Sequence, residues 1–233
     1  MNDVKRDFQE RCDEINLYFS FLEKVTTKKG KILYPDGASD NIDTILIKTL
    51  KAQAFLLLYN LTESSIKKAV EAIFQEILRS GVKYEDAKTH IRKDFIKFIK
   101  SKVSADEFVS GVSVLSEDIF PFCLSVKNSP SDIQPQYIKE LFSGNVYADT
   151  IKNIAKQFGF SSATNPRKTN NGHALKTIKE QRNDLAHGVK SFQEVGQNYS
   201  PQELFKMKDE TIAYLKQIID NIESYIVSRE FLK

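Results

Sequence analysis

The chain has 233 residues, 41% apolar and 28% charged, enough apolar content to bury a sizeable core in one large domain or two small ones. Its formal net charge is only +3, so bulk charge recruits no polyanion and any attraction to nucleic acid has to come from local clustering. Cys12 and Cys123 fit neither a disulfide framework nor a zinc spacing, and the longest apolar run, AFLLLYNL from Ala54, is too short to cross a bilayer.

Phe8, Cys12, Ile15, Phe19 and Leu22 recur at spacings of three and four, which predicts a first helix between Val4 and Val25 with one apolar face. The charged, amphipathic start lacks the apolar core of a signal peptide, so a soluble cytoplasmic protein is expected. TTKKGKILYPDGASDN, residues 26–41, carries Gly30, Pro35 and Gly37 and reads as a loop or small hairpin. A long helical pattern follows from Ile42 to Arg79, with a break anticipated near Asn60. Its clearest stripe is Ile66, Ala69, Val70, Ile73, Phe74, Ile77 and Leu78, and Gly81 ends it. Ala87, Ile91, Phe95 and Phe98 predict a third helix between Tyr84 and Lys100, with His90 on an exposed or semi-exposed face. From Val103 to Pro135 the apolar spacing is irregular and predicts no definite element.

PQYIKELF and VYADTIKNIAKQFGF read as two short helices joined by SGN. SSATNPRKTNNG, residues 161–172, reads as an exposed loop. A helix from His173 to His187 comes next, and Gly188 is placed to stop it, because glycine takes the left-handed conformation without steric penalty. Ser200, Pro201 and Glu203 supply an N-cap, a first-turn proline and a capping-box acid for a last helix whose Ile212, Leu215, Ile219, Ile222 and Ile226 share one face. No strand-type alternation of any length and no repeat is present, so the expected fold class is all-α, a helical bundle formed by residues 1–233 as a single domain with one connected core. The tyrosines and phenylalanines mostly follow helical spacing and read as core.

QRNDLAHG, residues 181–188, holds the most informative polar cluster. Leu175, Ile178 and Leu185 form an apolar stripe, and Arg182 occupies the open slot between Ile178 and Leu185. A guanidinium facing the core or an interface cannot shed its charge, so it has to meet a carboxylate, a phosphate or water. His187 lies five residues on, about 140° around the helix at roughly 100° per residue. One helix therefore does not clamp a single atom between the two. Asn183 and Asp184 precede His187 by four and three residues, within reach of an imidazole nitrogen. The plainer alternative makes His187 a helix-end cation, Asp184 a solvated acid and Arg182 the partner of a structural carboxylate. Glu63, in register with the inward stripe of the second helix, is a candidate for that carboxylate and equally reads as a solvated residue. Arg167 and His173 repeat the bare spacing in a loop without a rigid scaffold.

RNDLAH resembles the R-x4-6-H signature of the HEPN superfamily of ribonucleases. Together with IKEQRNDLAHGVKSFQEVGQNYSPQEL, LFSGNVYADTIKNIAKQFG, LYNLTESSIKKAVEAIF and DFQERCDEINLYFSFLE, the likeness extends to the full-length HEPN toxin subfamily first described in cyanobacteria, near the RiboL-PSP HEPN proteins. It covers nearly the whole chain, least clearly residues 100–135. The resemblance implies an α-helical bundle, a homodimer with both motifs facing a shared cleft, and metal-independent RNA cleavage in defence or toxin–antitoxin systems, with a protein antitoxin or defence partner. Some HEPN toxins carry a tyrosine two residues after the histidine that receives silencing nucleotides; here that position is Val189, which puts such control in doubt.

On that resemblance Arg182, His187, Asn183 and Asp184 are the expected catalytic residues, Glu63 an auxiliary one, with no metal and no cofactor. Imidazole, whose ordinary pKa is about 6.5, serves as base or acid near neutrality, while arginine stays charged and matches phosphate with a fixed fork of donors. Arg167 and Lys168, and the KKGK run at residues 28–31, are candidate phosphate contacts for an RNA substrate. The competing expectations are a non-catalytic HEPN module binding RNA, nucleotide or protein, and the immunity partner of a toxin.

Overall fold

The stripe at Phe8, Cys12, Ile15, Phe19 and Leu22 is buried in α1 (Asn2–Thr26), with Val25 extending it. The computed structural model describes residues 1–27, 30–82, 84–93 and 145–233, without the side chains of residues 78 and 84. The irregular stretch at 103–135, the PQYIKELF helix and the far half of the predicted third helix, with Phe95 and Phe98, lie outside the described residues. So do Lys28 and Lys29 of the KKGK run.

After α1, Lys31–Leu33 (β1) and Ser39–Asn41 (β2) pair antiparallel as the small hairpin, with Gly37 at φ +85° in its turn. Helix α2 (Thr44–Arg79) is capped by Asp43, whose carboxylate accepts from Ile45 N–H at 2.5 Å. It runs unbroken past Asn60, correcting the anticipated break: Leu58, Tyr59, Leu61 and Thr62 are all buried there, so packing holds the helix through the polar stretch. Tyr18 of α1 donates to Leu50 O at 2.5 Å and Asp7 pairs with Lys68 at 2.5 Å, so α1 and α2 lie antiparallel. Beyond α2, a 3-10 turn spans Tyr84–Asp86 where the third helix was expected to begin, and residues 89–93 are helical. Ala87 and Ile91 are buried as predicted. His90 is half-buried, with Nε2 turned against Gly159.

Helix α3 (Ala148–Phe158) ends at Gly159, φ +88°. The 161–172 segment corrects the expected exposed loop: it contains α4 (Pro166–Thr169) and a 3-10 turn at Asn170–Gly172, with Thr169 and Gly172 buried. It is ordered by long-range bonds that local composition does not encode. Asn165 N–H donates to Gln217 Oε1 at 2.6 Å, and Asn221 donates to Ser161 O and Ala163 O, both at 2.9 Å. Gly172 sits at φ +78°, where an added Cβ would approach Ala148 Cβ to 2.6 Å.

Helix α5 (His173–Ala186) leads to α6 (Phe192–Gln197), which opens on a Ser191/Glu194 capping box that sequence reading passed over. Helix α7 (Pro201–Val227) opens on the predicted Ser200/Glu203 box. Its Leu215, Ile219 and Ile222 are buried, while Ile212 and Ile226 are partly so. Phe19 meets Phe205 edge-on at 5.4 Å, and Lys5 pairs with Asp220 and Glu223, so α7 crosses α1 antiparallel. Helix α6 lies directly on the backbone of α2, because a Cβ on Gly196 would fall 1.8 Å from Lys48 O. The buried apolar residues form one cluster, and the protein is an all-α fold with a minor hairpin. No helix among the described residues is long and apolar enough to cross a membrane.

Candidate functional site

Leu175, Ile178 and Leu185 are buried on one face of α5, and Arg182 in the slot between them is half-buried. Its guanidinium carbon lies 4.4 Å from the centre of the Tyr59 ring on α2, a cation–π stack, and Nη1 donates to Asn183 Oδ1 at 3.0 Å. No carboxylate pairs with Arg182 among the described residues. Glu63, one turn after Tyr59, makes no ion pair with it; the acid acts instead on the Tyr59 phenol. Burial pushes that phenol up from its ordinary value and Glu63 adds to the rise, while Val146 N–H and Arg182 oppose it.

The carboxyl end of α5 closes as a Schellman turn, which satisfies the last carbonyls. Val189 N–H donates to Asp184 O at 2.9 Å and Gly188 N–H to Leu185 O at 3.3 Å, with Gly188 at φ +66°. His187 is the capping residue and its side chain is exposed. Sequence reasoning expected Asn183 and Asp184 to orient this imidazole, and the structure assigns both elsewhere. Asn183 Nδ2 donates to Asn145 Oδ1 at 3.0 Å, and Asp184 takes Lys190 Nζ at 2.6 Å. The Asp184 hydrogen bond holds the Lys190 ammonium above its ordinary pKa. Long-range and cross-turn partners have won over the i, i+3 and i, i+4 contacts, so the imidazole makes no hydrogen bond among the described residues.

Three residues that sequence reasoning missed complete the site. Tyr59 Oη accepts from Val146 N–H at 3.3 Å, Asn145 receives Asn183, and Lys179 Nζ stands 5.0 Å over the Tyr147 ring. From sequence Tyr59 reads as a core aromatic, and Asn145 gives no signal at all. Arg167 and Lys168 are exposed on α4, which precedes the amino end of α5, whereas the motif occupies the other end about 20 Å away at 1.5 Å per residue. At that rise Arg182 stands about 13 Å from the start of α5, and no hydrogen bond or ion pair joins Arg167 or Lys168 to it among the described residues. Among the described residues no three His, Cys, Asp or Glu side chains gather as a metal site would.

Among the described residues, a half-buried guanidinium stacked on Tyr59 and an exposed imidazole thus lie five residues apart towards the carboxyl end of one helix. The family model described as HEPN_MAE_28990-like HEPN matches residues 2–231. The chain belongs to this HEPN family. No curated protein and no solved structure matches it.

Proposed function

We propose that this HEPN protein is a metal-independent endoribonuclease acting in the cytoplasm as a toxin or defence effector, restrained by a protein partner. The observation that carries the reading is Arg182, a half-buried cation held by a neutral ring and a neutral amide, so that its charge remains available to an anion. Cleavage by 2′-hydroxyl attack needs a base, an acid and a cation that stabilises the phosphorane as charge grows on its oxygens. Arg182 suits the last role and the exposed imidazole of His187 either of the first two.

A single chain offers one such histidine. Two copies joined about a two-fold axis bring a second, and they also give the imidazole the facing groups that its own chain does not supply. The expected products carry a 2′,3′-cyclic phosphate and a 5′-hydroxyl. Light scattering reads the assembly directly: a stable dimer supports the composite site and a monomer at working concentration contradicts it.

One observation favours the alternative of a non-catalytic module binding RNA or nucleotide: Asp184 serves Lys190 rather than His187, leaving the tautomer unset within the chain. Expression discriminates the two. Growth arrest relieved by His187→Ala supports the enzyme, whereas arrest unchanged by it supports binding.

A further inference from the structure

The start of α3 meets the site at three consecutive residues. Asn145 Oδ1 accepts from Asn183, Val146 N–H donates to Tyr59, and the Tyr147 ring lies beneath Lys179. Thr150 Oγ1 donates to Asn145 O at 2.8 Å and ties this segment to the first turn of α3. The contacts close a circuit. Arg182 rests on Tyr59, Tyr59 on Val146, Asn145 on Asn183, and Asn183 returns to Arg182.

The direction of the Asn183 amide follows from this circuit. The guanidinium only donates, so the Asn183 oxygen faces it and the NH2 group is left for Asn145, whose amide presents its oxygen in return; the reverse Asn183 orientation would set donor against donor at Arg182. Both groups that hold Arg182 are neutral. A carboxylate in either place would fix the side chain as firmly but would cancel the charge that a developing phosphorane requires. One Nη1 donor is spent on Asn183, and the other guanidinium N–H donors, which no described protein group takes, stay for an anion.

We propose that Tyr59 and Asn145 are positioning residues for RNA cleavage, Tyr59 as the platform for the Arg182 guanidinium and Asn145 as the group that anchors the Asn183 amide against it. The proposal rests on the nuclease reading of Arg182. Neither residue touches RNA, and both act through the arginine.

The test is a double-mutant cycle on the full chain with a cleavable RNA, joined to arginine side-chain NMR. Asn145→Ala, at an exposed position, lowers kcat about tenfold with KM within about twofold, and Tyr59→Leu lowers it at least as much. Tyr59→Phe, which keeps the ring, stays within about threefold of the wild type. Neither Asn145→Ala nor Tyr59→Leu slows Arg182→Ala further. The Arg182 Nε–Hε resonance loses its ring-current shift in Tyr59→Leu and sharpens through greater mobility in Asn145→Ala. Losses that multiply in the Arg182→Ala background, or an unchanged kcat with an unchanged resonance, overturn the positioning role and leave the nuclease reading standing. A wild type that cuts no RNA, or an Arg182→Ala variant that cuts as fast as wild type, overturns the nuclease reading and this proposal with it.

Discussion

Cations along the seams between α1, α2 and α7 are treated differently from the cation at the end of α5. Lys5 reaches Asp220 and Glu223 across to α7, while Lys68 and Arg11 converge on Asp7. Each pairs with a carboxylate; the Lys5 and Lys68 pairs join α1 to α7 and to α2, while Arg11 meets Asp7 within α1. Arg182 instead has a phenol ring and a carboxamide for partners. The seam pairs contribute little stability because they are partly solvated, whereas a guanidinium that no described carboxylate pairs with is what the proposed nuclease role requires. On the proposed reading, a charge placed for packing and one placed for chemistry are told apart by what holds them.

The largest expected effect breaks the comparison at its functional side. Arg182→Ala and His187→Ala each lower RNA cleavage by at least about 100-fold while unfolding free energy changes by less than about 1 kcal/mol. Lys5→Ala leaves cleavage at the wild-type rate, so paired cleavage and urea-unfolding measurements on the three variants check the contrast. Converting Arg182 to the seam type of cation sharpens it. Asn183→Asp places a carboxylate against the guanidinium and lowers cleavage about tenfold without loss of stability, read from initial rates and thermal melting.

Gly188→Ala forces a side chain into a φ of +66° and costs about 1 kcal/mol in urea unfolding, with a further loss of cleavage because the same turn carries His187. The smallest effect belongs to Asp7. Burial raises its pKa, but the hydrogen bonds from Lys68 and Arg11 outweigh burial and hold it below the ordinary 3.8. A depressed carboxyl contributes stability above its unfolded pKa and loses it as pH falls through the folded value. Asp7→Asn therefore flattens the decline in stability below about pH 4 by less than about 1 kcal/mol, checked by urea unfolding at about pH 6 and about pH 3.

Much of this arrangement was legible in the sequence because its causes are local. The α1 stripe, the Ser200, Pro201 and Glu203 start of α7, and the Gly188 stop follow from spacing and backbone preference. So did the slot of Arg182, since a helix face is fixed by its own residues. What lay out of reach was every contact set by distant chain. Residues 161–172 read as a loop until Gln217 and Asn221 are brought beneath them. Asn183 and Asp184 stand at the right offsets to serve His187, yet Asn145 and Lys190 claim them. Tyr59 reads as one more core aromatic, and only the packing of α5 on α2 turns its face into an arginine platform.

The most direct measurement is the chemistry of RNA ends made by the purified protein in excess EDTA, compared with Arg182→Ala and His187→Ala. The account predicts 2′,3′-cyclic phosphate and 5′-hydroxyl ends from the wild type, unaffected by the chelator and absent with either variant. Cleavage abolished by EDTA, or the same ends produced undiminished by the His187 variant, would contradict it.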